Sequence, residues 1–225
     1  EKMAVDSFAA VRFKTTSLFP YFASVLFAIQ PIELERENEL KTMAIDKRLR
    51  LYYNPQMLEN SSLDEMVAVL VHEISHFLRK HHQRGQYLDP KIANLAGDCE
   101  INDDFKEMGL TLPKIMYEGA EKPADCAYPS TYKLPDGQLM EWYYTKLMEM
   151  ADKKMPKQDC GSCAAPGLGQ KWEKDDDSDI LRENEGYSDI MQDFYRKKVA
   201  EDIQDTVAKS RGTVPGNLVE WAEQL

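Results

Sequence analysis

The chain has 225 residues, 43% of them hydrophobic and 10% aromatic, enough apolar material to bury the core of one large domain and too much for a wholly disordered polymer. Its 28 basic and 39 acidic residues leave a net charge of -11, which opposes the phosphates of nucleic acid and of anionic lipid alike, so neither is expected as a partner. The longest apolar run, 19–29, contains Pro20 and Ser24 and falls short of the roughly 20 residues that span a bilayer; four scattered cysteines do not make a disulfide framework, and a cytoplasmic location is expected.

In chain order, Met3, Phe8, Val11 and Phe13 are spaced for a helix, and 19–29 predicts a second, buried one. Residues 40–53 predict a β-hairpin, with Met43 and Ile45 on one strand, a turn at Asp46 to Arg48, and Leu49, Leu51 and Tyr53 on the other. Ser62 followed three residues later by Glu65 is a capping-box pattern that opens a long helix over 63–81. A turn through Gly85 to Pro90 leads to a helix over 91–106, and further helices are expected over 139–150, 188–209 and at the end of the chain. The Gly/Pro-containing and acidic stretch 153–185 predicts a flexible connector between a domain of 1–152 and C-terminal helices, 186–225, that pack back on it. The fold class that follows is α+β, mainly helical, with a small antiparallel hairpin beside the long helix.

All four histidines, His72, His76, His81 and His82, fall in one short run, and the first two frame His-Glu-Ile-Ser-His. In this HExxH pattern two imidazoles one helical turn apart meet one metal and the intervening Glu works on its water. On a wheel at 3.6 residues per turn His72 and His76 are offset by about 40° with Glu73 beside them, while Met66, Leu70, Ile74 and Phe77 fill the opposite, apolar side. Continuing the same wheel carries His81 and His82 away from that face, and both are expected to flank the site. Glu65 is expected to be a surface or outer acid.

A catalytic zinc takes a third protein ligand and keeps one position open. On the helix through 94–103, Asp98 faces inward with Leu95, Ile101 and Phe105, between the amides of Asn94 and Asn102, and Glu100 points about 200° away. Asp98 is the favoured third ligand, with Glu100, or neither, as the alternative. Cys160-Gly161-Ser162-Cys163 lacks a second CxxC to complete a structural zinc site and is expected to be a plain loop.

The runs FPYFASVLFAIQPI, MAIDKRLRLYYNPQML, VLVHEISHFLRKHH, IANLAGDCEINDD, LPDGQLMEWYY and GTVPGNLVEWAEQL resemble the metallopeptidase domain of bacteria and phage that precedes a von Willebrand A-like domain. The resemblance implies a zincin-like fold, with His72, Glu73 and His76 on the motif and Asp98 at the expected acidic position, and a von Willebrand A-like domain following Leu225. Gluzincins, similar in outline, use a Glu from the second helix, one methylene longer than Asp98. The expected function is a zinc-dependent hydrolase, a metallopeptidase, in which His72, His76 and Asp98 hold Zn²⁺ and Glu73 is the general base. A protein or peptide substrate is expected to pair with the hairpin, along 50–53 for preference, and Tyr52, Tyr128 and Tyr132 are candidates for stabilising the oxyanion. The alternative is a non-catalytic, metal-stabilised interaction or regulatory module working with the von Willebrand A-like domain.

Overall fold

A computed structural model describes residues 8–114, 126–151, 186–210 and 212–225. The connector expected over 153–185, with Cys160 and Cys163, lies outside the described residues, as does Met3.

Helix α1 (Phe8–Leu18) leads into a 3-10 turn (Pro20–Phe22) and then α2 (Ala23–Ala28). The single apolar helix expected over 19–29 is therefore split. Phe19, just before a proline, is held out of the helical region at φ -130°, ψ 70°, and the helix restarts behind it. Strand β1 (Gln30–Glu33) follows, then β2 (Met43–Ile45) and β3 (Arg50–Tyr53). The hairpin forms as expected, β2 antiparallel to β3 with Ile45 opposite Leu51; its turn is tied by Asp46 Oδ1, which accepts from the N–H groups of Arg48 and Arg50 at 2.9 and 3.0 Å. The sheet is mixed, because β1 adds in parallel on the far side of β3, Gln30 opposite Arg50. In the order β1-β3-β2 the central strand is paired on both sides, so 50–53 has no free edge for a substrate strand; the edge beside the long helix belongs to β2. Pro31 is tolerated in β1 because that strand, too, lies at an edge.

Asn54 caps α3 (Pro55–Asn60), and the Ser62–Glu65 capping box opens α4 (Leu63–Leu78) in both its hydrogen bonds. From Met66 to Leu78 every residue of α4 is buried, including the side that carries the histidines, because α1 packs on one side and β2 and α6 on others. Burying a Val, Leu or Ile side chain fully is worth about 1.5–3 kcal/mol, and Val67, Leu70, Val71 and Ile74 are each 0% exposed. The helix stops three residues before the expected Arg79–His81 end. Lys80 adopts a left-handed conformation, φ 54°, and the chain restarts as α5 (His81–Arg84).

Asp89 caps α6 (Pro90–Asn102), accepting from the N–H groups of Lys91 and Ile92, and α7 (Phe105–Met108) closes this region at Gly109, φ 67°. A 3-10 turn (Pro129–Tyr132) precedes α8 (Met140–Ala151), which packs along α6 through Leu95, Ala96 and Cys99 against Met140, Tyr143 and Leu147. Helix α9 (Asp189–Lys209) lies against α2, with Val199, Ala200 and Ile203 in the same core as α4, and α10 (Gly216–Glu223) packs on α9. Among the described residues no helix is long and apolar enough to cross a membrane.

Candidate metal centre

His72 and His76 project from α4 towards Asp98 on α6, which crosses that face. Their Nε2 atoms are 3.0 Å apart and lie 3.4 and 3.2 Å from Asp98 Oδ1. Donors held 2.0–2.1 Å from one tetrahedral ion are separated from each other by about 3.3 Å, so the three observed edges already outline one face of such a coordination shell. Among the described residues these three form a group of ligating side chains able to hold a metal ion, and all are buried, at 3%, 2% and 0% exposure.

The protonation pattern suits a cation as well. The amide of Asn102 donates from Nδ2 to the carbonyl of Ala127 at 2.8 Å, which turns its Oδ1 to accept from His72 Nδ1 at 2.8 Å. With its proton on Nδ1, a neutral His72 presents the Nε2 lone pair to Asp98. Burial pushes His76 well below its ordinary pKa, the His72 and His81 rings adding to the effect against the opposing contact with Asp98. Burial alone would raise Asp98, but the His72 and His76 rings beside it outweigh that and hold the group below the usual carboxylate range. Two neutral imidazoles and one carboxylate make a donor set of net charge -1, which fits a divalent ion.

Glu73, one residue beyond His72, is fully buried between α4 and the hairpin, and its Oε2 accepts from the backbone N–H of Ile45 at 3.1 Å. Ile45 pairs with Leu51 on one side of β2, so this contact is made on the outer edge of the sheet. The carbonyl of the same residue accepts from His82 Nε2 at 2.9 Å. Burial, with His81 and Lys47 nearby, lowers His82 to about 4.

His81 differs most from expectation. The left-handed Lys80 breaks the helical spacing, so the ring swings back beneath His76, Nδ1 to Nδ1 at 2.9 Å with ring centroids 4.9 Å apart. Glu100 turns away from the imidazole pair: its carboxylate accepts from Arg84 Nη1 and Nη2 at 3.1 and 2.8 Å and from the N–H of Met140 at 2.6 Å, with Arg79 Nε at 3.4 Å. Of the two acidic candidates, Asp98 meets the histidines. Glu65 is spent in the capping box, and the Tyr52 hydroxyl donates to Asp46 Oδ2 at 3.2 Å, in the hairpin turn. Tyr128 caps and Tyr132 ends the 3-10 turn just after Ala127, whose carbonyl holds Asn102. The one sequence signal that could have pointed to His81 is Gly97: a glycine in mid-helix marks a close approach, and a Cβ there would stand 2.8 Å from His81 Nδ1.

Residues 7–225 match the family described as "Putative metallopeptidase domain". A Thermotoga maritima protein bearing the name "Uncharacterized protein" is 25% identical over 144 residues, which is 60% of this chain and 35% of that protein. The chain thus matches about a third of that relative's length. No solved structure gives a significant match.

Proposed function

The chain belongs to the family described as "Putative metallopeptidase domain", and from that premise we propose that it is a zinc-dependent hydrolase, a metallopeptidase acting on protein or peptide substrates. The observation that carries this reading is the convergence, at 3.0–3.4 Å, of His72 Nε2 and His76 Nε2 from the helix that also carries Glu73 with Asp98 Oδ1 from α6. His72, His76 and Asp98 would hold the ion, three protein ligands being the usual complement of a catalytic zinc. A zinc ion held there supplies Lewis acidity, polarising a carbonyl and acidifying water. Glu73 takes the proton from the attacking water and returns it to the departing amine. Asn102 keeps the His72 ring in the tautomer that offers Nε2, and the Ile45 N–H steadies the Glu73 carboxylate beside the sheet edge. A cytoplasmic location and a von Willebrand A-like domain working beside this one belong to the same proposal. The test pairs metal analysis with hydrolysis of a fluorogenic peptide library: activity that a chelator removes and zinc restores, absent from both His76→Ala and Glu73→Gln, supports it.

One observation favours a second reading, a metal-stabilised regulatory module without catalysis: every residue of the centre is at most 3% exposed. X-ray absorption on the metal-loaded protein separates the two, since three protein donors plus a light-atom solvent ligand indicate the enzyme and a closed set of four protein donors the module.

A further inference from the structure

We propose that His81 is a positioning residue for the metal-binding face of His76, and that Glu100 and Arg84 fix His81 in turn. The proposal rests on the metal-site reading above and extends it one residue outward.

Glu100 is gripped by both terminal nitrogens of Arg84 and by the N–H of Met140, all of which donate. A carboxylate bound to three donors is itself only an acceptor. His81 Nε2 lies 3.3 Å from Glu100 Oε2, close enough for a charge–dipole contact though not aligned as a full hydrogen bond, so the ring proton of His81 is favoured on Nε2. Its Nδ1 then carries the lone pair. That atom faces His76 Nδ1 at 2.9 Å, a distance that demands one proton between the two nitrogens, and the proton must come from His76. A neutral His76 with its proton on Nδ1 leaves the Nε2 lone pair directed at His72 and Asp98, where an ion would sit. Reversing any link in this series would put an N–H of His76 into the donor cluster and close it to a cation.

Gly97 supplies an independent observation. It sits within α6, one residue before Asp98, where alanine would be the better helix former. A Cβ at this position would come within 2.8 Å of His81 Nδ1 and 3.3 Å of Cε1 and Cγ, so the ring fills the space that the glycine leaves. Close approach of α6 to His81 brings Asp98 and the buried ring into the same layer.

The experiment measures zinc affinity of the full chain by competition with a chromogenic chelator, together with long-range ¹H–¹⁵N spectra of the zinc-loaded, ¹⁵N-histidine-labelled protein. Removing a group that orients a ligand histidine typically weakens metal binding about 10–100-fold, and that is the loss expected for His81→Phe. His81→Gln, which can still accept from His76 Nδ1, should recover most of the affinity. Gly97→Ala, which displaces the ring without removing a polar group, should also weaken zinc binding. The spectra should show His81 protonated on Nε2 and His76 on Nδ1. Unchanged affinity in His81→Phe and Gly97→Ala, or a His81 proton on Nδ1, overturns the proposal while leaving the metal site intact. Equal zinc content in wild type and His72→Ala overturns the metal site, and this proposal with it.

Discussion

The backbone N–H of Ile45 donates to Glu73 Oε2 across 3.1 Å, joining the outer edge of the sheet to the acid of the HEISH helix. Glu73→Gln keeps an oxygen that can accept this bond, so fold and zinc content should survive while the proton acceptor is lost. Hydrolysis should fall by roughly 10²-fold or more, the usual scale for a general base. Metal content by elemental analysis beside initial rates on one peptide substrate checks it, and full activity would reject the role given to Glu73.

His72→Ala and His76→Ala should each lower zinc from about one ion per chain to a small fraction, because two donors leave the ion under-coordinated. Asp98→Ala should do the same. Asp98→Glu should bind more weakly than wild type, since the existing edges of 3.2 and 3.4 Å leave no room for an added methylene. Plasma emission spectroscopy after dialysis against a weak chelator reads all four variants.

Glu100→Ala should chiefly affect stability, with any weakening of zinc arising indirectly through His81. The substitution strips buried Arg79 and half-buried Arg84 of a carboxylate partner, and breaking a buried pair by removing one member costs about 3–5 kcal/mol. In a chain of this size each kcal/mol moves the melting temperature by about 2–4 °C, so scanning calorimetry should find a fall of roughly 6–20 °C. A fall below about 3 °C would show that the ion-pair cluster is not what holds α5 to α6 and α8.

The fold makes a specific acid response at His82. Its pKa drops from 6.5 in the unfolded chain to about 4 in the fold, chiefly through burial, so the folded state disfavours its proton. The stability it contributes is therefore present above pH 6.5 and lost as pH falls towards 4, at up to about 1.4 kcal/mol per pH unit. His82→Gln can still donate to the Ile45 carbonyl, and its urea stability should vary less steeply than wild type over that interval. Asp103 acts with opposite sign: burial raises it to about 6, so its contribution falls as pH rises from about 4 to 6. Asp103→Asn should remove that second slope.

Periodicity made much of this legible in advance. The capping box located the start of α4, the wheel put His72 and His76 on one face, and the spacing of Leu95, Ile101 and Phe105 turned Asp98 inward. What periodicity could not carry were events that break it or that join distant segments. Strand β1 is four residues long, contains Pro31 and forms by parallel pairing with residues about 20 positions on, so nothing local marks it. The apparent solvent face of α4 is covered by α6 and β2, and a polar stripe on a wheel does not tell burial against a polar neighbour from exposure. The wheel misplaces His81 because Lys80 takes a left-handed conformation usually marked by glycine or asparagine, and a wheel carried through that residue rotates every later side chain wrongly.

The sealing of His72, Glu73, His76 and Asp98 from solvent also has a kinetic side. If an ion enters or leaves through opening of the packing of α6 over α4, exchange is governed by the rate of that opening rather than by collision. Stripping by a strong chelator should therefore reach a rate independent of chelator concentration, and that ceiling should track hydrogen exchange at the amides of α6. Metal taken up as the chain folds would then persist long after free metal has gone.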